Sequence, residues 1–112
     1  MIQDIPTYDI TIKGGEDFSW DFRLYNEDKT PSDLTGNTIR AQLRHFAEDS
    51  HAINFSCSHN NQGGQVTLIL SHRATTSIRF ESGVYDVIRE YPDGFKECVL
   101  CGNVRIIPAV TR

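Results

Sequence analysis

The sequence lacks the features of membrane-spanning proteins and of exported proteins held by disulfides. None of the apolar runs among its 112 residues approaches the roughly 20 residues that cross a bilayer. The start, Met1 to Pro6, has neither the basic region nor the apolar stretch of a secretory signal peptide. Its 3 cysteines are an odd number, which disfavours a closed disulfide framework, so we expect free thiols in a reducing cytoplasm.

Positive charge is scarce as well. The chain has 11 Lys and Arg residues against 15 Asp and Glu residues, which is a net charge of -4 with neutral histidine. Because nucleic-acid binders need a basic surface, this balance predicts no nucleic-acid partner. The charged fraction of 23% and the hydrophobic fraction of 38% are typical of a folded protein. We predict a single domain over residues 1–112 with short N- and C-terminal arms.

Helical periodicity is missing too, and the dominant period of the apolar residues is two. Such alternation is typical of strands with one buried side and one wet side. In the clearest case Trp20 alternates in step with Phe18 and Phe22, which predicts that its ring lies in the core. The predicted strands are residues 8–13, 18–25, 38–44, 52–58, 65–71, 83–91 and 95–107.

Seven short strands with turn signals between them predict an all-β fold, a single immunoglobulin-like antiparallel β-sandwich. Residues 71–80 break the period, and we expect one short helical turn there, capped by Ser71 and crossing between the sheets. Gly102 is expected to mark a bulge or bend in the last strand.

Two short motifs predict roles in holding the fold. In the turn before the third strand, Asp33 is expected to cap backbone N–H groups, and Leu34 to fill the end of the core. Gly36 is expected to take an unusual φ in the same turn. The sequence around Gly83 and Tyr85 is typical of a tyrosine corner, in which the hydroxyl group holds a crossover loop.

Cys98 and Cys101 form a Cys-x-x-Cys pair inside the predicted last strand. Because residues three apart on a regular strand point to opposite faces, we expect these thiols to share no metal and no disulfide unless a bulge intervenes. A zinc site would need two further ligands, which Cys57 with His59 or His45 could supply. The simpler interpretation makes Cys57 and one of the pair small core residues, so we predict no metal and no cofactor.

Other groups of chemically active residues have no catalytic spacing. The four histidines form no metal-binding motif: His45, His51, His59 and His72. Ser71, His72 and Asp86 can be imagined as a triad, but no nucleophile elbow accompanies them. The carboxylates at predicted turns lack the regular spacing of a calcium loop: Glu16, Asp17, Glu27 and Asp28. We therefore predict no catalytic residues and no enzyme.

Arginines and strand-end aromatics are the candidates for contacts with partners. The arginines are expected mostly at outward strand positions: Arg40, Arg44, Arg73, Arg79, Arg89 and Arg105. They form either an interface or a solvated surface. Tyr25, Tyr91 and Phe95 either plug loops or anchor a partner. Open sheet edges invite strand addition, and we expect the arms, residues 1–7 and 109–112, to lie across a neighbouring subunit.

Several fragments, taken in order, resemble a known family. They are residues 12–18, 31–39, 64–71, 82–87 and 102–107, followed by Val110-Thr111. The ordered set resembles the small Ig-like β-sandwich of tailed-phage tail and baseplate proteins, such as the N-terminal domain of baseplate upper proteins. Those proteins continue into long C-terminal segments, whereas this chain stops at Arg112, so the resemblance implies the bare module.

The resemblance implies a non-enzymatic virion structural protein that docks or links fibres or receptor-binding components. The implied partners are other tail, baseplate or fibre proteins and copies of the chain itself, with no nucleic acid and no membrane. The implied location is the virion, assembled in the host cytoplasm. Alternatives are a capsid-decoration or neck protein, a sandwich that binds carbohydrate or a host surface through Trp20 and the tyrosines, and a small inhibitor of a host enzyme.

Overall fold

The computed structural model describes residues 5–111. These residues form eight strands and one short helix: β1 (Ile10–Lys13), β2 (Phe18–Arg23), β3 (Thr38–Arg44), β4 (Ile53–Asn54), β5 (Ser56–Asn60), β6 (Gln65–Leu70), α1 (His72–Thr76), β7 (Ser82–Glu90) and β8 (Lys96–Ile107). None of the described helices has the length and apolar character needed to span a bilayer.

The strands form two sheets, in the orders β1-β8-β7-β3-β4 and β2-β6-β5. This confirms the all-β sandwich. The prediction that all strands pair antiparallel was wrong for one pair, because β1 and β8 run parallel, with Ile10 opposite Val104. Local periodicity is the same in parallel and antiparallel strands, so the direction of this pairing left no trace in the pattern.

The predicted strand 52–58 is divided between the two sheets. β4 pairs with β3 in the larger sheet, and β5 pairs with β6 in the smaller one. Phe55 lies at the crossing, where its N–H donates to the carbonyl oxygen of Ala41 at 3.0 Å. Phe55 is 6% exposed, and the centroid of its ring lies 6.1 Å from that of Phe18 in β2 of the smaller sheet. The chain therefore closes this side of the sandwich, and the described part has eight strands instead of seven.

The core lies between the sheets and contains the inward residues of both. Leu43, Leu68 and Val87 are fully buried there, as the period-two pattern predicts. Leu34 is also fully buried, and Asp33 Oδ1 accepts a hydrogen bond from the Thr35 N–H at 3.0 Å, so the predicted turn is confirmed. Gly36 has the expected positive φ, 75°.

The short helix holds the turn between β1 and β2. Ser71 caps α1 by accepting a hydrogen bond from the Ala74 N–H at 3.3 Å, which confirms the predicted helical turn. Thr75 is buried, and its hydroxyl group donates to the carbonyl oxygen of Glu16 at 2.8 Å. The same hydroxyl oxygen accepts from the N–H of Gly15 at 3.1 Å. The turn that joins the two sheets at this end is thereby fixed.

The predicted bulge at Gly102 was wrong in position. Gly102 stays in register opposite Tyr85, whereas the register with β7 shifts between Leu100 and Cys98, which leaves Val99 as the extra residue. Gly102 is needed for another reason, since a side chain there would overlap the main-chain carbonyl group of Tyr8. A glycine in a strand thus marks the close approach of a neighbouring segment.

Candidate functional site

The side of the sandwich opposite Phe55 has an open groove. It lies between β2, an edge strand of the smaller sheet, and the segment that leads into β1, an edge strand of the larger sheet. Its volume is about 810 Å³. Ile5, Tyr8, Trp20 and Phe22 contribute the apolar wall, and Arg89 and Glu97 lie among the polar lining residues. We take this groove, named the β2 groove, as the candidate site.

The apolar wall of the β2 groove is built from aromatic rings. Trp20 stacks on Tyr8 with 5.2 Å between ring centroids, and it lies 4.9 Å from Phe22 and 6.2 Å from Tyr85. The inward side of β2 is only half-buried along its length. Trp20 packs against the core, as predicted, and it also lines the groove. Tyr8 remains 58% exposed, so the wall presents aromatic surface to solvent.

The hydroxyl group of Tyr85 holds the segment that forms the rim of the groove. It donates a hydrogen bond to the main-chain oxygen of Tyr8, while the Tyr8 N–H donates to the carbonyl oxygen of Cys101 at 2.9 Å. Burial raises the pKa of Tyr85 well above its usual range, so the hydroxyl group stays a donor. The hydroxyl group holds the chain before β1, whereas the tyrosine-corner motif predicted a crossover loop.

Arg89 forms the polar end of the groove, and its predicted outward position was wrong. The residue is only 8% exposed. Nε donates to Asn37 Oδ1 at 2.7 Å, NH2 donates to the carbonyl oxygen of Asp33 at 3.0 Å, and the guanidinium group lies 4.4 Å from the ring centre of Tyr91. Because Arg89 follows Val87 by two residues on the same strand, it shares the inward side. The spacing of two residues from the inward Val87 was the signal in the sequence that could have predicted the inward position of Arg89.

The outer edge of β2 has unpaired main-chain groups. The N–H of Leu24 donates to the carbonyl oxygen of Gly64 at 2.8 Å, which continues the antiparallel ladder between β2 and β6. Since alternate residues of such a ladder bond to the same neighbour, Ser19, Asp21 and Arg23 direct their N–H and C=O groups away from β6. Within residues 5–111 no other strand pairs with this edge.

The two cysteines of the Cys-x-x-Cys pair lie on the same face of β8. Cys98 is opposite Ile88 and Cys101 is opposite Asp86, and both of these β7 positions face outward. The bulge at Val99 therefore turns both thiols to the same outer face, which is the exception that the prediction left open, although the bulge lies at Val99 instead of near Gly102. All three cysteines are free, and burial raises the pKa of the Cys57 and Cys98 thiols, which makes both poor nucleophiles at neutral pH.

The structure does not assemble the imagined triad or a zinc site. Ser71 caps α1, and His72 pairs with Asp17 at 3.0 Å instead of with Asp86. His45 stacks on Phe80, with 4.9 Å between the ring centroids. In the described range, no three His, Cys, Asp or Glu side chains are grouped so that they could hold a metal ion.

The remaining candidates for contacts are spread over the surface. Arg40 is exposed on the outer face of β3, whereas Arg44 is half-buried and donates to Gln42 Oε1 at 3.1 Å. Tyr25 and Phe95 are 59% and 61% exposed. Tyr91 is half-buried, and its hydroxyl group donates to Glu97 Oε1 at 2.6 Å.

The predicted arms are only partly described. Residues 1–4 and 112 lie outside the described residues, so their predicted contact with a neighbouring subunit stays a prediction. Pro6 and Thr7 lie along β8 of their own chain, where the carbonyl oxygen of Pro6 accepts from the Cys101 N–H at 3.2 Å. At the other end, the carbonyl oxygen of Pro108 accepts from Lys13 Nζ at 3.2 Å.

Of the comparisons with known proteins, only the one with solved structures found a match. No family model and no curated protein matches the sequence. Among solved structures, the N-terminal domain of phage TP901-1 ORF48 is similar, with a TM-score of 0.60 and 8% sequence identity, over 88% of this chain and 83% of that chain. The likeness confirms, at the level of the fold, the resemblance to a domain of a phage protein.

Proposed function

We propose that this protein is a non-enzymatic structural component of a tailed-phage particle. In this proposal it is an Ig-like module of the tail or baseplate that docks or links fibres or receptor-binding components. The observation that carries the proposal is the shared fold with a phage domain over 88% of this chain. A module of that size offers sheet edges and loops to its neighbours, and assembly needs no reacting groups.

The described surface supports docking over catalysis. The β2 groove places half-buried aromatic rings beside an unpaired strand edge, which suits contact with protein. The partners in this proposal are other virion structural proteins and copies of the chain. The net charge of -4 favours protein partners over nucleic acid.

One observation favours a second candidate function, the binding of carbohydrate. Tyr8 and Trp20 stack beside each other in the groove, and Tyr8 is 58% exposed. Flat aromatic surfaces in a concave site with a few polar groups suit small ligands such as sugars. A glycan array probed with the wild-type chain and with Trp20→Ala would test this: saccharide binding lost in the variant supports it, and an array without signal removes it.

Immunogold electron microscopy of purified particles, with an antibody against this chain, tests the main proposal. The matched control is the same phage with a stop codon in this gene, grown with and without the wild-type chain supplied in trans. Gold at the tail tip that disappears in the uncomplemented control supports the proposal. Gold on the head or neck would replace it with the capsid-decoration or neck alternative. Unlabelled particles with the protein free in the lysate would overturn it.

A further inference from the structure

The four edge strands of the two sheets differ in how far they are open to another chain. β4 has only two residues, and β5 is polar, with the sequence Ser-Cys-Ser-His-Asn. β1 ends at Lys13, whose ammonium group reaches the carbonyl oxygen of Pro108. β2 has six residues without proline, lysine or a bulge, and its only charges, Asp21 and Arg23, are of opposite sign, so it is the least protected of the four edges.

We propose that β2 of a second copy pairs antiparallel with this edge and joins the two smaller sheets into one. The proposal deepens the proposed function by naming the surface through which copies associate. It rests on the proposed function only for the place where the dimer acts, because the pairing itself is a property of the isolated protein.

The charges on β2 select the register of this pairing. Asp21 and Arg23 are exposed on the outer side, two residues apart, and both direct main-chain groups to the open edge. In a two-fold pairing centred on Phe22, Asp21 lies opposite Arg23 of the second copy, and the symmetry forms this ion pair twice. Pairings centred on Asp21 or on Arg23 would instead place like charges opposite each other. Charge complementarity therefore favours the register centred on Phe22.

The same register covers the apolar side of β2. Phe22 faces Phe22 of the second copy on the two-fold axis, and Trp20 lies opposite Leu24 of the second copy. All three side chains are half-buried in the single chain and line the β2 groove. Pairing removes apolar surface from water at the point where the sandwich is open, which is the main favourable contribution to association.

The edge also extends far enough to form a ladder. Tyr25 forms an isolated antiparallel bridge with Pro31, in which the N–H and C=O groups of Tyr25 point away from Pro31. The main-chain groups of Tyr25 therefore continue the row that faces the open edge of β2. In the register centred on Phe22, Tyr25 lies opposite Ser19 of the second copy. Each outward residue from Ser19 to Tyr25 then exchanges main-chain hydrogen bonds with its counterpart.

Sedimentation velocity of the purified chain, from low to high micromolar concentration, tests the proposal. We expect a reversible monomer–dimer equilibrium. Asp21→Arg and Arg23→Asp each replace both ion pairs by like-charge contacts, and each should raise the dissociation constant by about tenfold or more. The double variant exchanges the two charges and should restore the wild-type constant to within about threefold.

A third variant tests the main-chain part of the contact. Ser19→Pro removes an N–H that faces the open edge and leaves the ladder with β6 unchanged, so a folded monomer is expected. Arg40→Asp and Asp86→Arg are the matched charge reversals on the outer face of the other sheet, and neither should change the dimer. Thermal unfolding of every variant identifies any that fail to fold.

A wild-type chain that stays monomeric at all concentrations would overturn the proposal and leave the edge to a strand of a different protein. A dissociation constant that stays unchanged in both charge-reversal variants would also overturn the proposal. So would a double variant that does not restore the wild-type dissociation constant. These outcomes are independent of particle labelling. A dimer absent from particles would contradict the proposed function alone, and a labelled tail with a monomeric chain would contradict the edge pairing alone.

Discussion

The two sides of the sandwich differ in how the sheets are joined. On one side the chain crosses from β4 to β5, and Phe55 is buried at the crossing with 6% exposure. On the other side the segment before β1 and strand β2 form the walls of an open groove, and Tyr8 at its rim is 58% exposed. Phe55 is buried where the chain crosses between the sheets, whereas the inward side chains of β2 beside the groove are only half-buried.

This difference shows which side of the sandwich can bind a partner and which side stabilises the single chain. The closed side removes most of its apolar surface from water, so its residues stabilise the single chain. The open side retains apolar surface and unpaired main-chain groups, which contribute to stability only when a partner covers them. A comparison of matched substitutions on the two sides measures this division.

The largest expected effect comes from Phe→Ala on the closed side. Phe55→Ala removes a buried ring at the crossing and should lower the free energy of unfolding by about 3–5 kcal/mol. The same change at half-buried Phe22 should cost only about 1–2 kcal/mol, because part of that ring is already in water. Urea unfolding at low protein concentration, where dimers are not populated, measures both. Equal losses in the free energy of unfolding would show that the two sides contribute alike to stability.

Arg89 gives the next largest effect, at the polar end of the open side. Arg89→Ala removes hydrogen bonds to Asn37 and to the carbonyl oxygen of Asp33, and should cost about 2–3 kcal/mol. Arg40→Ala is the matched exposed control and should change stability by less than about 0.5 kcal/mol. If the two variants unfold at the same urea concentration, the guanidinium group has no structural role.

Tyr85→Phe should have a smaller effect, confined to the rim of the groove. The variant loses the hydroxyl group that donates to the main-chain oxygen of Tyr8, at a cost of about 1 kcal/mol. Hydrogen exchange should become faster at the N–H groups of Tyr8 and Cys101, while the amide of Phe55 on the closed side keeps its rate. Faster exchange on both sides would show that the hydroxyl group supports the whole sandwich.

The smallest effect is expected at the surface pair of Asp17 and His72. Hydrogen bonds from the His72 backbone and side chain hold the pKa of Asp17 below its ordinary value of 3.8. A lowered folded-state pKa means that the carboxylate stabilises the fold above the unfolded-state pKa, and that this contribution is lost as the pH falls through the folded-state pKa. Asp17→Asn should therefore lower Tm slightly at pH 7.

This Tm difference from the wild type should disappear in acid, below the folded-state pKa of Asp17. Glu81→Gln, which neutralises another exposed carboxylate, is the matched control. A difference for Asp17→Asn that is constant with pH would show that the charge is not involved.

Much of the fold was predictable because it depends on local periodicity. The inward positions of Leu43, Leu68 and Val87 follow from alternation alone, and the cap at Ser71 and the turn at Gly36 follow from local backbone chemistry. The same alternation, carried two residues past Val87, would have placed Arg89 inside. That error came from assigning charge to the surface, whereas a buried guanidinium group is stable when its N–H groups are hydrogen-bonded.

The candidate site was not predictable in the same way. The pattern of β2 identifies an apolar side, but it cannot show that no strand lies beside this one, since edge and central strands alternate alike. The bulge at Val99 was also hidden, because a bulge depends on the register with β7 rather than on the residue itself. This bulge brought Cys98 and Cys101 to the same face of β8.

By itself, the amino-acid sequence determined which side chains turn inward, where the chain turns, and that the fold is a β-sandwich, because these follow from the two-residue period of a strand and the backbone preferences of a few residues. Only the tertiary structure decided that β1 runs parallel to β8, that Phe55 closes one side, and that the β2 groove opens the other. Those features depend on which distant strands pair, and residues far apart in the chain compete for the same neighbours without leaving a local pattern.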